Sequence, residues 1–265
     1  MDTNLSMKNE TELIDRIVAW IKQYADDNKI TSLVVGVSGG IDSALVSTLC
    51  AKTSLPTYVV SMPIRQKDDQ LSRAHSHIDW LKSNFSKNVI PIETNLTRLF
   101  EVFEVSMNHT LVTDGFCGES FNSELGFANS RSRLRMTILY QIATSRNGIV
   151  VGTGNKVEDF GVGFFTKYGD GGVDISPIAD LLKSEVRKLA ILSGITQSII
   201  DAPPTDGLWE SDRTDEEQIG ATYDELEKAM FGVLESERDR EVMNIYESLH
   251  NKNLHKMNPI PLFRK

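Results

Sequence analysis

The sequence predicts a doubly wound α/β fold with a mostly parallel sheet, helices on both of its faces and a helical C-terminal part. Short apolar runs rich in β-branched residues alternate with longer segments of helical periodicity up to residue 151, which is typical of parallel sheets. Beyond residue 183 the periodicity is mostly helical. We expect a single domain over residues 1–265, because no linker-like stretch divides the chain.

The predicted elements follow one another closely. A capping-box pattern at Asn9 and Glu12 marks the start of an amphipathic helix over 10–27. Apolar runs predict strands over 32–37, 57–62, 89–92 and 149–151. Helical spacing predicts helices over 41–52, 68–85, 97–109, 129–147, 183–193, 215–231 and 237–249. Glycine-containing stretches at 112–128 and 163–174 are interpreted as loops.

Composition excludes several classes of protein. The net charge of −9 argues against a general nucleic-acid-binding surface. No apolar run approaches the roughly 18 residues that a membrane span needs, and the polar N-terminus lacks the pattern of a signal peptide. Two cysteines, Cys50 and Cys117, do not make a disulfide framework. We therefore expect a cytoplasmic protein with neither nucleic acid nor membrane as a partner.

Structural zinc is not expected, because neither Cys-x-x-Cys nor His-Glu-x-x-His occurs. His75 and His77 lie two residues apart on a predicted helix and so face different directions. Both are expected at the surface.

The main functional signal is a glycine turn between the first strand and its helix, residues 36–43, with the sequence GVSGGIDS. Gly39 and Gly40 can take positive φ and let main-chain amides approach a phosphate. Asp42 offers a carboxylate suited to Mg²⁺. Neither GxxxxGK[ST] nor GxGxxG is present, and no lysine follows the glycines. The turn resembles the SGGxDS loop of the ATP pyrophosphatases, which implies adenylation rather than phosphoryl transfer.

A second constellation, GTGNKVE at 152–158, follows the fourth strand. Ligands of parallel sheets gather beyond the carboxyl ends of the strands, so this segment should meet the glycine turn over one site. Asp42 and Glu158 would then form a two-carboxylate Mg²⁺ site completed by phosphates and water. Taken alone, Glu158 is also typical of a surface residue at a helix start. The irregular loop at 163–174 is typical of a segment that covers a substrate.

Five segments occur in the order seen in NAD synthetases: the turn at 36–43, Arg131 to Arg135, GTGNKVE, TKYGDGGVD at 166–174 and His255-Lys256. The chain resembles this family from residue 10 to the C-terminus. The resemblance implies a homodimeric ligase of the parallel α/β class that uses ATP and Mg²⁺ to amidate deamido-NAD (nicotinic acid adenine dinucleotide). An acyl-adenylate forms, and NAD, AMP and pyrophosphate are the products of this last step of NAD biosynthesis. About 30 residues precede the first strand, which resembles the ammonia-dependent members; a separate glutaminase partner stays open.

The roles of individual residues follow from the resemblance. It implies ATP contacts at Gly36, Val37, Ser38, Gly39, Gly40, Ile41, Asp42, Ser43, Thr153, Lys183 and Thr205. It implies deamido-NAD contacts at Arg133, Lys167, Asp174, His255 and Lys256, and metal binding by Asp42 and Glu158. Two departures from the family pattern are Met257, where many members have arginine, and the loosely matching segment 203–209 around Thr205.

Ammonia needs its own site, because in water near neutral pH it is mostly ammonium. A buried carboxylate could bind that cation and accept or relay its proton. Asp170 and Asp174 are the candidates in the glycine-rich loop, and Asp170 is favoured. Closure of the loop would exclude water from the adenylate.

Two other functions compete with this interpretation. Another ATP pyrophosphatase, such as a tRNA-modifying thiolase or a GMP synthetase, would share the glycine turn, but a thiolase needs cysteines placed for sulfur transfer and a tRNA enzyme a basic face. A nucleotide-binding regulatory module without turnover would need no two-carboxylate metal site, so Asp42 and Glu158 count against it.

Overall fold

The computed structural model describes residues 3–113, 123–205 and 214–265. Four strands in these ranges form one sheet: β1 (Ser32–Gly36), β2 (Thr57–Ser61), β3 (Val89–Glu93) and β4 (Gly148–Val150). Their order is β3-β2-β1-β4, and each neighbouring pair is parallel. The predicted parallel sheet is therefore confirmed. The strand order reverses between β1 and β4, and such a switch point is where open α/β sheets bind ligands.

Helices occupy most of the remaining described chain. They are α1 (Thr3–Asp27), α2 (Ile41–Lys52), α3 (Asp68–Asn84), α4 (Thr97–Thr113), α5 (Ser123–Ser145), a π-helix (Lys156–Val162), α6 (Lys183–Leu192), α7 (Gln197–Ile200), α8 (Asp215–Ile219), α9 (Tyr223–Met230) and α10 (Glu237–Met257).

Both faces of the sheet are covered, as the alternation of strands and helices predicts. Leu33 and Val35 of β1 pack in one apolar cluster with residues of α1, α2 and α6. Val34, whose side chain points to the opposite face, packs in a second cluster with residues of α4 and α5. A strand buried on both sides reads as a continuous apolar run, which explains why this short strand is evident from sequence.

The helical C-terminal part forms a third cluster around the segment that follows β4. Val157 of the π-helix packs with Ile219 of α8, Leu226 of α9 and Val242 of α10. This packing places α9 and α10 directly against the functional loops at the end of β4.

Several boundaries differ from the predictions. The helix predicted from 129 begins at Ser123, so residues 123–128 are not loop; Phe127 there packs edge-on against Phe100 and Phe103, with centroids 6.2 and 6.3 Å away. The helix predicted over 215–231 is two helices, because Gly220 ends α8 with a φ of +88°. The loop predicted over 112–128 is also shorter at its start, because residues 112–113 belong to α4; its residues 114–122, with Cys117, lie outside the described residues. Cys50 is fully buried.

His77 corrects the expectation that both histidines are exposed. His75 pairs with Glu93 at the surface, Nε2 to Oε2 2.9 Å. His77 is fully buried, and its Nε2 lies 2.9 Å from the Ser47 Oγ of α2. The Nδ1 atom has no hydrogen-bond partner among the described residues. Burial lowers the pKa of His77 from 6.5 to about 4.

We predict that His77 makes stability fall in mild acid. Between pH 6.5 and 4 the unfolded chain binds a proton that the folded chain does not, so this contribution is complete above pH 6.5 and declines as the pH falls. Linkage gives a loss of about 2 kcal/mol between pH 7 and pH 5. Urea unfolding of the wild type and His77→Gln at both pH values measures this loss. The free energy of unfolding of the variant should fall between pH 7 and pH 5 by about 2 kcal/mol less than that of the wild type. An identical pH dependence in both proteins would contradict the prediction.

Candidate active site

A cleft of about 860 Å³ opens beyond the carboxyl ends of β1 and β4. The whole glycine turn, residues 36–43, lines it. Other predicted residues in its lining are Thr153, Glu158, Asp170, Lys183 and Thr205. The structure thus brings two distant strand-end loops together at the switch point of the sheet.

The glycine turn is held by its own hydroxyl groups and by α3. The amide of Ser38 donates to Ser43 Oγ (3.2 Å), and the amide of Gly40 donates to Ser38 Oγ (3.2 Å). Gly39 has a φ of +90°, and a Cβ on it would lie 2.6 Å from the carbonyl oxygen of Gln70. Gly40 has a φ of −89°, so the expectation of positive φ holds for Gly39 alone. The turn is therefore preorganised, and of its two adjacent glycines only Gly39 takes the left-handed conformation.

Lys183 joins the two loops through a three-residue ionic cluster. Its Nζ lies 2.6 Å from Asp42 Oδ2 and 2.8 Å from Glu158 Oε1. Burial alone would lower the pKa of Lys183, but the two carboxylates outweigh it and hold the pKa above its ordinary value. The ammonium is therefore charged. Two carboxylates therefore share one ammonium at the edge of the glycine turn.

The donor set of this cluster suits a magnesium ion. Mg²⁺ in nucleotide enzymes is commonly held by one or two carboxylates together with phosphates and water. Asp42 and Glu158 converge on one point, which Lys183 Nζ occupies. The described residues hold no group of three or more His, Cys, Asp or Glu side chains that could bind a metal, so phosphate oxygens would have to complete the coordination.

Asn155 is a site residue that the sequence analysis did not single out. Its Nδ2 donates to Asp42 Oδ1 (3.0 Å), while its Oδ1 accepts from the amides of Val157 (3.0 Å) and Glu158 (3.1 Å). One buried amide thus caps the π-helix and orients the carboxylate across the cleft. An Asn between a glycine and a helix start is the signal that predicts such a cap.

Tyr223 and Glu227 reach the site from α9 with no local sequence signal. The Tyr223 hydroxyl donates to Glu158 Oε1 (2.5 Å), and its ring lies 4.7 Å from Lys183 Nζ. One turn later, Glu227 accepts from the amide (2.8 Å) and hydroxyl (2.7 Å) of Ser184 at the start of α6. One face of α9 therefore holds both Glu158 and the helix start that carries Lys183.

Asp170 lies in a loop that packs against α5. Its Oδ1 accepts from Ser132 Oγ (2.6 Å) and from the Thr166 amide (3.0 Å), and its own amide donates to Ser132 Oγ (2.8 Å). A Cβ on Gly169 would lie 2.3 Å from that same oxygen. The loop at 163–174 is therefore ordered by specific contacts and holds one carboxylate in the lining of the cleft.

The five residues assigned to deamido-NAD do not line this cleft. Four of them adjoin: Arg133 Nε donates to the Lys167 carbonyl (3.3 Å), Lys167 Nζ to the His255 carbonyl (2.6 Å), and Lys256 Nζ to the Phe165 carbonyl (2.7 Å). Asp174 lies apart, where it accepts from the Val150 amide of β4 (2.7 Å) and from the Tyr140 hydroxyl (3.1 Å).

The chain is similar to proteins of one family. A family model described as NAD synthase matches residues 13–259. A protein of Alkaliphilus metalliredigens named NH(3)-dependent NAD(+) synthetase is 36% identical over 260 residues, covering 94% of this chain and 97% of that protein. The structure of NMN synthetase from Francisella tularensis has a TM-score of 0.83 at 30% identity and covers 97% of this chain and 99% of that one. NH3-dependent NAD synthetase from Campylobacter jejuni has a TM-score of 0.72 at 23% identity, covering 96% and 99%, and bears on the fold alone.

The two glycines of the turn make a matched pair for mutation. Gly39→Ala should destabilise the protein by about 1–3 kcal/mol, because alanine is strained at this φ and its Cβ collides with α3. Gly40→Ala should change stability by less than about 0.5 kcal/mol, since its Cβ would meet only Ser38 Oγ, at 3.4 Å. Chemical denaturation of both variants measures the difference. Equal losses would show that the two positions do not differ as the structure indicates.

Proposed function

The chain belongs to the NAD synthase family, and from that premise we propose that it is a ligase that amidates deamido-NAD with ammonia at the expense of ATP. NAD, AMP and pyrophosphate are the products of this reaction in NAD biosynthesis. The observation that carries the proposal is the ionic cluster of Asp42, Glu158 and Lys183 beside a preorganised glycine turn.

The turn suits the first half of the reaction. A carboxylate oxygen of deamido-NAD attacks the α-phosphorus of ATP, the bond to the β-phosphate breaks, and pyrophosphate leaves as the acyl-adenylate forms. Negative charge accumulates on the pyrophosphate. The first amides of α2 point toward that charge, and the helix dipole adds roughly 0.3–1 kcal/mol. Lys183, whose ammonium is paired with Asp42 and Glu158, is also assigned to contact ATP.

We assign Asp42 and Glu158 as the residues that hold Mg²⁺, together with phosphate oxygens and water. When bound, the ion supplies charge neutralisation worth several kcal/mol in the transition state. Asn155, Tyr223 and Lys183 fix the directions of the two carboxylates before any ligand arrives. Thr153 and Thr205, which also line the cleft, are assigned to the rest of ATP.

In the second half, ammonia attacks the acyl carbon, a proton leaves the nitrogen, and AMP departs. We assign Asp170 to bind the ammonium ion, because its carboxylate is anchored in the lining of the cleft by Ser132 and Thr166. Asp170 is exposed in the structure and not buried as expected, so protection of the adenylate from hydrolysis would require the loop to close over bound substrate.

Deamido-NAD is assigned to the edge formed by Arg133, Lys167, His255 and Lys256, and to Asp174, which lies apart from them. Three of the four side chains of the edge are cationic and the fourth, His255, can bind a proton, which suits a dinucleotide phosphate. Their present partners are mostly main-chain carbonyls, so binding an anion there would exchange neutral acceptors for charged ones.

A homodimer is part of the proposal. Leu99, Val102 and Val105 recur at helical spacing on α4 and are 47%, 60% and 69% exposed, and an apolar stripe of this kind is typical of a protein interface.

A cytoplasmic location accords with ATP as the co-substrate. No helix within the described ranges is both long enough and apolar enough to cross a bilayer.

The reaction is tested by its products. ATP, Mg²⁺ and deamido-NAD are incubated with ammonium or with glutamine, and nucleotides are separated by chromatography. We expect AMP, pyrophosphate and NAD with ammonium, and little NAD with glutamine. ADP as the nucleotide product would refute adenylation, and a preference for glutamine would refute the ammonia-dependent assignment.

Asp42→Asn should lower kcat/KM at least 100-fold, because the neutral amide weakens the Lys183 pair and removes one magnesium ligand. Asp180→Asn is the matched control, because Asp180 is 93% exposed and pairs with Lys156 at 2.8 Å. The kcat/KM of this variant should stay within twofold of the wild-type value. Melting temperatures of both variants separate lost chemistry from lost fold. Activity retained by a folded Asp42→Asn protein would exclude the carboxylate from the reaction.

A mononucleotide is the second candidate for the acid substrate. The observation in its favour is the TM-score of 0.83 to NMN synthetase from Francisella tularensis, over nearly the full length of both chains. The same cleft chemistry would amidate nicotinic acid mononucleotide to NMN. Comparing kcat/KM for the two acids decides between them: a ratio above tenfold in favour of deamido-NAD supports the first proposal, and the opposite ratio supports the second.

A further inference from the structure

The glycine turn lacks the lysine that many phosphate-binding loops carry, and α3 supplies a cation in its place. A Cβ built on Gly39 would lie 3.1 Å from the Ala74 amide nitrogen and 3.3 Å from the Cβ of Arg73. The first half of α3 therefore rests directly on the turn. Arg73 lines the same cleft as the turn, although it is 30 residues away in the chain.

The guanidinium of Arg73 has few partners in the protein. Its Nη1 donates to Asp69 Oδ2 at 3.0 Å, and its Nε is buried without a hydrogen-bond partner in the described part of the chain. The side chain is 19% exposed, whereas Asp69 is 65% exposed. Arginine has five N–H donors, and an exposed i,i+4 ion pair contributes little. A largely buried guanidinium with unused donors beside an anion-binding turn indicates an anionic ligand.

Two other cations in the cleft lining, Lys183 and Arg135, are engaged within the protein, whereas Arg187 and Lys188, which also line it, are exposed. Lys183 is neutralised by Asp42 and Glu158. Arg135 donates to the Met62 carbonyl (3.1 Å) and to Gln66 Oε1 (3.0 Å). These contacts hold both side chains to the protein, which contrasts with the single exposed partner of Arg73.

We propose that Arg73 binds the β- and γ-phosphates of ATP in the glycine turn and stabilises the pyrophosphate that leaves. This inference rests on the proposed function. The guanidinium is planar, always charged and able to bond two phosphate oxygens at once. As the bond between the α- and β-phosphates breaks, its electron pair goes to the departing pyrophosphate, whose added negative charge strengthens both contacts. Arg73 would thus bind the phosphates that, in other phosphate-binding loops, a lysine within the loop binds.

Calorimetric titration with inorganic pyrophosphate and with AMP, each at a fixed magnesium concentration, tests the assignment. Arg73→Gln should weaken pyrophosphate binding at least tenfold, about 1.4 kcal/mol, and should leave AMP binding unchanged. Arg73→Lys keeps the charge without the planar fork and should fall between the wild type and Arg73→Gln. Asp69→Asn is the matched control: it removes the one ion pair of Arg73, and pyrophosphate affinity should be kept or improved.

Three outcomes would overturn the assignment. One is unchanged pyrophosphate affinity in an Arg73→Gln protein that melts like the wild type. Another is an equal loss of AMP affinity, which would place the arginine at the α-phosphate. A third is an equal loss in Asp69→Asn, which would make the pair merely structural. The proposed function fails separately: ADP formation by the wild type would defeat it, whatever the arginine variants do with pyrophosphate.

Discussion

The structure depends on one buried ammonium placed between two carboxylates. Lys183 begins α6, Asp42 lies in the first turn of α2, and Glu158 lies in the π-helix after β4. Each charge would be costly to bury alone, and the cluster is tolerated because every member has a charged partner and further hydrogen bonds. The same contacts set the width of the cleft, because they join the loops that follow β1 and β4.

The C-terminal helices stabilise the ionic cluster of Lys183, Asp42 and Glu158 in addition to enlarging the apolar core. Tyr223 and Glu227 lie one turn apart on α9, and together they fix Glu158 and the start of α6. Their apolar neighbours bury α9 against the π-helix and α10. Helices α8, α9 and α10 therefore support the site, which accounts for their close packing against the π-helix that follows β4.

Helix α10 supports the loop at 163–174 in a similar way. His250, Asn253 and Lys256 lie three residues apart on one face of the helix. They donate to four main-chain carbonyls, those of Gly161, Val162, Gly163 and Phe165. A segment rich in glycine would otherwise lose much conformational entropy on ordering. This row of hydrogen bonds keeps Asp170 in the cleft lining, and it gives Lys256 a structural role within the chain beside the ligand role assigned to it.

The sequence by itself determined the features that local physics controls. An apolar run, two adjacent glycines and a helix start are contiguous in the chain, so the position of the glycine turn and the parallel sheet around it could be predicted. Asp42 was singled out for the same reason, whereas Glu158, taken alone, was also typical of a surface residue and gained its assignment only together with Asp42. The helix boundary at Ser123 was not, because Phe127 is held by aromatic contacts with α4 that residue spacing does not reveal.

Only the tertiary structure decided which distant side chains complete the site. Arg73, Tyr223 and Glu227 read as ordinary helical residues, and His77 reads as a surface residue, until α3 and α9 are packed in place. Helical periodicity indicates which face of a helix is apolar, but it does not indicate what that face meets. Which side chains meet across tens or hundreds of residues depends on how the helices pack on the sheet and on one another. That arrangement is set by the packing of the whole core.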